Sequence, residues 1–501
     1  MFKLFSLLLI FTGSALTAFC PSQPITSNTI GGNLPNGVVN LTAVPQGTNC
    51  TFVFDIPNNY SLKLSFNAQA GSNADQVVIY DNNNQPLYTL TISTTPVYNV
   101  PLYLPARAAS VRVEADSGNM RFMLSYMYNK MTDYKQVTKR TGEHFPLTTV
   151  AANTYVTITA SSADEKVIVS PAVKVGASDS TLTQLHVFDG DNINTANVMG
   201  RLSDFSDVKI SSGQSVSIVN FAGVQSNSYA LGNDASTLSG FSKYKVILTS
   251  LGSSISGNMT DLSDSPNGAA YTYICADCSS FYWTELTFDS LSTIANKAYV
   301  SFQGQTPTHK REKLIKYDAM TVTNSYFPQL VPTNVFTVNL YLGRSHFRFN
   351  NINDDAAWKK PYGGRKGYIF APNLWGTVDN NFNYEFRDNS QLYNFTMNLD
   401  KLSFPTNGDQ MTLKIGSGNG APTVNATYPT TKFYNHQMAA QGNYMQVELL
   451  ASVTADVRLS FAMDTNLPPV ATTPRVRTTT GGVGGVDIKL LFSIVLLMTL
   501  V

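Results

Sequence analysis

Short runs in which β-branched or aromatic residues alternate with polar ones recur along the whole chain, and long helical periodicity is nearly absent. A side-chain period of two suits a strand with one face in a core, so the pattern predicts an all-β protein. In the first segment the strands read Cys50–Ile56, Tyr60–Phe66, Gln76–Tyr80, Ala109–Ala115 and Met120–Tyr126. Turn sequences such as Pro57-Asn58-Asn59 and Asp81-Asn82-Asn83-Asn84 separate them. A similar course restarts after Tyr134 with Asn153–Thr159, Gln184–Gly190 and Gln214–Val219, and Tyr244–Leu248 is read as its closing strand. A third segment ends in a strand pair around Val335–Leu340 and Phe347–Phe349. A fourth carries Leu392–Met397, Gln410–Ile415, Met445–Leu450 and Val457–Met463. The expected modules are 19–130, 135–250, 252–350 and 355–465, all β-sandwiches.

Composition narrows the setting. Lys plus Arg number 34 against 33 for Asp plus Glu, so a net charge of +1 offers no field to steer nucleic acid, and no nucleic-acid partner is expected. Charged residues make up 13% and aromatic residues 11%, the balance of hydroxyl-rich extracellular sandwiches and not of a highly charged intracellular surface.

The two ends carry addressing signals. Lys3 precedes the apolar run Leu4–Phe11, and Gly13, Ser14, Ala15 and Ala18 follow, the order of a secretory signal peptide over residues 1–18. Cleavage after Ala15 or after Ala18 is equally compatible, and either keeps Cys20. At the other end, a Thr, Pro and Gly stretch over 466–489 cannot pack a core and is expected to be a flexible stalk. Residues 490–501 form an apolar tail. As a helix that tail spans about 18 Å, short of a hydrocarbon core of roughly 30 Å. Small residues, a spacer and a greasy terminus constitute a glycosylphosphatidylinositol attachment signal, with the lipid joined at Gly481, Gly482 or Gly484 and the tail removed. A short tail anchor and plain secretion are the alternatives. The expected location is the outer face of the plasma membrane, with the membrane a partner through the lipid.

An oxidising compartment gives the 4 cysteines a reading. Two disulfides are expected, Cys20 to Cys50 and Cys275 to Cys278. The first closes a loop of about 30 residues, for which chain entropy gives roughly 3 to 4 kcal/mol. The second is a C-x-x-C with no companion pair, which favours a local structural bridge over zinc or redox chemistry. Glycosylation sequons stand at Asn40, Asn49, Asn59, Asn258, Asn394 and Asn425. Cys50 lies inside the Asn49 sequon, so disulfide formation there competes with glycan transfer.

The run Asp75-Gln76-Val77-Val78-Ile79-Tyr80-Asp81 resembles the strand and turn of CUB domains, and so does Val187-Phe188-Asp189-Gly190-Asp191-Asn192 with Val198–Leu202. With the Cys20 to Cys50 spacing and Asn49-Cys50-Thr51, the chain is similar to the nematode CUB-like family of secreted, often lipid-anchored proteins. The resemblance implies tandem CUB-like, jelly-roll-type β-sandwich modules followed by the stalk. Ordinary CUB domains have a second cysteine pair that neither of the first two segments has, so the likeness is to a divergent branch. Some CUB domains hold calcium through a Glu and two Asp, because a hard cation takes several oxygens at once. Asp75 falls at a matching position and is the candidate metal ligand, calcium being the one cofactor considered. The upstream glutamate is missing, and Thr183 stands where the second module would need its aspartate. The alternative for Asp75, Asp81 and Asp189 is turn formation by Asx side chains.

No enzyme motif emerges. His144, His186, His309, His346 and His436 are scattered, no G-x-S-x-G elbow occurs, and Gly416-Ser417-Gly418-Asn419-Gly420 lacks a P-loop lysine and reads as a hairpin turn. No carboxylate pair stands in a recognisable glycosidase context. The basic runs His309–Lys313 and Lys359-Lys360 with Arg365-Lys366 read as solvated loops, with acidic glycans or lipid headgroups as the ligands they would suit. Lys139-Arg140 is a candidate processing site between modules. Trp283, Trp358 and Trp375 are expected in sandwich cores and not stacked on sugars. The function expected is non-enzymatic recognition or adhesion toward an extracellular protein or glycan ligand, and the family resemblance implies innate immune defence. A secreted carbohydrate-active enzyme and a structural coat component are the alternatives.

Overall fold

The computed structural model describes residues 19–465, apart from 82, 91–95, 206–207, 264, 290–296, 353–354, 373–379, 430–431, 434–435 and 453–454, and apart from the side chains of 310–313 and 432–433. The signal peptide over 1–18, the stalk, the lipid-attachment glycines Gly481, Gly482 and Gly484 and the apolar tail lie outside the described residues, as does Trp375.

Four pairs of sheets follow one another along the chain. The first pair is built from β1 (Ile25–Thr26), β2 (Gly31–Leu34), β3 (Thr42–Ala43), β4 (Thr48–Asp55), β5 (Tyr60–Gln69), β6 (Gln76–Tyr80), β7 (Pro86–Leu90), β8 (Val97–Pro105), β9 (Ala108–Ala115) and β10 (Arg121–Lys130). One sheet runs β1-β4-β9-β6-β7; the other runs β2-β10-β5-β8 with β3 also on β10. Strict alternation makes the sandwich: along β4, Cys50, Phe52 and Phe54 are buried while Asn49, Thr51, Val53 and Asp55 face out. Their rings and those of Phe66 and Phe122 meet Val77, Ile79, Val111 and Leu124 in one core.

The second pair contains β11 (Lys135–Arg140), β12 (His144–Pro146), β13 (Thr154–Thr159), β14 (Val167–Ala172), β15 (Leu185–Asp189), β16 (Asn197–Arg201), β17 (Ser215–Asn220) and β18 (Tyr229–Asp234), ordered β11-β13-β17-β15-β16 and β12-β18-β14. The third contains β19 (Lys243–Thr249), β20 (Ser254–Asp261), β21 (Ala269–Cys275), β22 (Phe281–Phe288), β23 (Tyr299–Gly304), β24 (Lys310–Asp318), β25 (Gln329–Val331), β26 (Val335–Tyr341) and β27 (Gly343–Asn350), ordered β19-β21-β26-β23-β24 and β20-β27-β22-β25. In each of these three pairs the first strand lies parallel to the strand beside it, β1 on β4, β11 on β13 and β19 on β21, and the rest of that sheet is antiparallel.

The fourth pair contains β28 (Arg365–Phe370), β29 (Phe382–Arg387), β30 (Tyr393–Ser403), β31 (Gln410–Gly416), β32 (Val424–Tyr428), β33 (Lys432–Phe433), β34 (His436–Gly442), β35 (Tyr444–Leu450) and β36 (Asp456–Asp464). Its sheets run β28-β36-β30-β33, with β34 on β30, and β29-β35-β31-β32. This is the order of the first pair without the parallel edge strand. The chain is an all-β tandem of sandwiches; the first three form one compact unit and the fourth belongs to a second.

Three expectations about the strands need correction. Lys310–Lys313, read with His309 as a solvated loop, open β24, which pairs antiparallel with β23. Tyr244–Leu248, read as closing the second segment, lies in β19 and pairs parallel with β21, so it opens the third sandwich. A parallel partner more than 20 residues downstream leaves no turn signal, whereas antiparallel neighbours announce themselves through a short hairpin. Lys139-Arg140 is not an open linker: both residues lie in β11, paired with Ile158 and Thr159 of β13, so cleavage there requires the edge strand to peel away.

Within the first unit, Met131, Tyr103 and Tyr134 pack against Tyr155, Phe188, Val219 and Phe221 between the first and second sandwiches. Ala172, Leu248, Ile274 and Val335 do the same between the second and third. Among the described residues no helix is long and apolar enough to cross a membrane.

Candidate functional site

The outer face of the third sandwich carries a hollow of about 60 Å³. Period-two alternation creates it. Val300 and Phe302 of β23 and Val338 and Leu340 of β26 enter the core, which turns Tyr299, Ser301 and Gln303 and, opposite them, Asn339 and Tyr341 to the other side. Ser301 pairs with Asn339 and Tyr299 with Tyr341 across the two strands. The tyrosine rings stack with centroids 5.2 Å apart and planes 24° from parallel, forming one side of the hollow. Ser301 and Asn339 are its most buried members, at 0% and 7% exposure.

Phe241 and Asn267 come from two loops that fasten to each other. Asn267 N–H donates to the Gly240 carbonyl at 3.2 Å, Asn267 Nδ2 donates to the Ser239 carbonyl at 2.9 Å, and the Ser265 hydroxyl also donates to Gly240. Gly240 has φ +82°, and a Cβ there would stand 2.7 Å from Asn267 Nδ2, so this rim depends on glycine. Among the described residues, none that lines the hollow is charged. The adjacent Lys316 sits 4.6 Å from the centre of the Tyr299 ring and is paired with Asp318. Asn339 Oδ1 is buried and accepts no hydrogen bond among the described residues. An acceptor left in that state costs about 1–3 kcal/mol.

Asp75, the candidate calcium ligand, is fully buried immediately before β6. Its Oδ2 accepts from Gly71 N at 2.8 Å, Ser72 N at 3.1 Å and the Ser117 hydroxyl, and its Oδ1 accepts from Ser117 N at 2.8 Å. Burial raises the carboxyl's pKa, but these donors outweigh it and the net shift is downward. The carboxylate thus clamps the loop before β6 to the loop after β9. The fourth sandwich repeats the device: Asp409, immediately before β31, accepts from Ser452 N and Oγ, both at 2.8 Å, just beyond β35. Asp81 accepts from Asn83 N at 2.8 Å and Gln85 N at 2.9 Å as an Asx turn, and Asp189 accepts from Ser212 N at 2.8 Å. Among the described residues, no group of three His, Cys, Asp or Glu side chains is placed to hold a metal ion.

Cys20 is bonded to Cys50 and Cys275 to Cys278. Of the sequon asparagines, Asn40, Asn49, Asn258 and Asn425 are exposed, whereas Asn59 and Asn394 are half-buried. Trp283 and Trp358 are core residues; Trp283 lies among Phe302, Tyr317, Phe327 and Phe349, at 4.7–5.7 Å between centroids. Arg365 departs from the solvated basic run expected for it. It is 1% exposed, within 6 Å of the ring centres of Tyr362, Phe386 and Phe461, because the register of β28 turns it inward while Lys366 faces solvent. His186 is buried 5.3 Å from the Phe221 ring, and its pKa is pushed down to about 4, first by burial and then by the charge of Arg201.

The residues around the hollow escaped the sequence reading because 38 positions separate Ser301 from Asn339. The available signal was local: in Tyr299–Gly304 and Val335–Tyr341 the outward half of the alternation is aromatic, hydroxyl and amide.

A CUB-like domain family model matches residues 16–132, the first sandwich. The CUB1-EGF-CUB2 domain of human MASP-1/3 is a similar solved structure, at 12% identity over 41% of this chain and 100% of that one, with a TM-score of 0.17. The full extracellular region of zebrafish Gpr126/Adgrg6 is similar at 11% identity over 67% of this chain and 53% of that one, with a TM-score of 0.18. No curated protein matches the chain.

Proposed function

We propose that this chain is a non-enzymatic glycoprotein of the outer cell surface, tethered by a lipid at Gly481, Gly482 or Gly484, that recognises or adheres to extracellular ligands in innate immune defence. The observation that carries the reading is the CUB-like domain over residues 16–132, since domains of this kind are typically extracellular and generally bind instead of catalysing. The Cys20–Cys50 bridge within it agrees with an oxidising compartment. Exposure of Asn40, Asn49, Asn258 and Asn425 suits glycan attachment. The defence role rests on the family resemblance of the first two segments.

The test is digestion of expressing cells with a phosphatidylinositol-specific phospholipase. Release of the protein into the medium is expected. Retention on the cell after a digest that frees a control anchored protein overturns the tether.

A further inference from the structure

We infer that the hollow beside Tyr299 and Tyr341 on the third sandwich binds one uncharged sugar ring, the terminal hexose of a glycan. The inference rests on the reading of the chain as a recognition protein and assigns that recognition a place and a ligand class.

Three features select the ligand. Among the described residues the lining is uncharged, and the adjacent Lys316 is paired with Asp318, so these side chains hold no dedicated counter-charge for an ionic ligand. A sugar presents one face of C–H groups and a rim of hydroxyls. Tyr299 is engaged by Tyr341 and by Lys316, so the apolar part of the hollow is the small ring surface that the tyrosine pair leaves open, and the larger polar part of the lining meets the hydroxyl rim. Asn339 Oδ1 needs a donor, and Gln303 and Asn267 add an amide carbonyl and N–H groups around it. A hydroxyl both donates and accepts, so one vicinal pair satisfies Asn339 Oδ1 and an amide N–H together.

Size and rigidity agree with this ligand. A hollow of about 60 Å³ seats the edge of one ring and not a folded oligosaccharide. Its floor consists of paired strands, and its rim is tied through Asn267 to Ser239 and Gly240, so the geometry is set before the ligand arrives.

The full chain, freed of its own N-glycans by endoglycosidase, should be screened against immobilised neutral and acidic glycans. The best neutral binder is then titrated against wild type, Asn339→Leu and Tyr341→Ala, with each variant's fold checked by thermal unfolding. Saturable binding of a neutral hexose that weakens about tenfold or more in both variants is expected. A diazirine-bearing form of the same hexose should label peptides containing 299–303 or 335–341, which keeps the test decisive if a variant fails to fold. The site is overturned if no neutral sugar binds at millimolar concentration, if both folded variants bind like wild type, if only acidic glycans bind, or if labelling falls elsewhere. A chain that phospholipase releases from cells but that binds no sugar loses this site and keeps its surface placement.

Discussion

A carboxylate withdrawn from water is tolerable only when donors meet its oxygens, and Asp75 meets this condition with three backbone N–H groups and one hydroxyl, from its own loop and from Ser117, 42 positions away. Asp75→Ala should lower stability by about 2–3 kcal/mol, read by urea unfolding. Because the folded carboxyl titrates below its ordinary range, the unfolded chain takes up the proton first as pH falls. The stabilisation is therefore present above that range and is lost on acidification, and the variant should show a flatter acid limb. Calcium should leave the melting temperature of the wild type unchanged; a rise on adding it would refute the clamp in favour of a metal site. His186 has the complementary chemistry. Folded, it stays neutral down to about pH 4, while unfolded it takes up a proton near its ordinary 6.5. Stability should thus decline by roughly 3 kcal/mol between those values and level off below the lower one. His186→Leu should abolish that slope in a series of unfolding curves, leaving the carboxylate-driven loss at lower pH. The sequence identified Asp75 as special through its place in a motif, but its partner Ser117 was invisible because only the closed sheet brings the two loops together.

At the level of strands, alternation was legible wherever one face is buried and the other is wet. Cys50–Ile56 was read almost as observed for β4, and Gln76–Tyr80 coincides with β6. Legibility failed for pairings that are parallel or distant, which is why β19 was attached to the wrong sandwich and why the opposition of β23 and β26 that makes the hollow could not be read. Covalent ties follow a similar logic of separation. Cys20 and Cys50 lie 30 positions apart, whereas Cys275 and Cys278 lie 3 apart. Replacing the first pair by serines should cost about 3–4 kcal/mol and replacing the second about 2 kcal/mol, compared by urea unfolding. The first bridge also joins the segment before β1 to β4, and so holds down a parallel edge strand of only two residues.

Across the whole molecule one strand order recurs among the described residues: the first and third sandwiches share it, the second lacks the strand that corresponds to β8, and the fourth lacks the leading edge strand. The sequons inherit their accessibility from it. Asn40, Asn258 and Asn425 stand on exposed positions, whereas Asn394 lies on β30, hydrogen-bonded on both sides by β34 and β36. Glycopeptide mass spectrometry should find the first three occupied and Asn394 largely bare. The shared order also governs how the protein must be made. The last strand of each sandwich is never at an edge: β10 runs between β2 and β5, β18 between β12 and β14, β27 between β20 and β22, and β36 between β28 and β30. A ribosome delivers that strand last. Each half-made sandwich therefore waits with a gap in the middle of one sheet, flanked by two strands whose backbone groups are open to any passing segment. Synthesis passes through this state four times per chain, so a stop or a pause within Arg121–Lys130, or within its three counterparts, is where aggregation should begin.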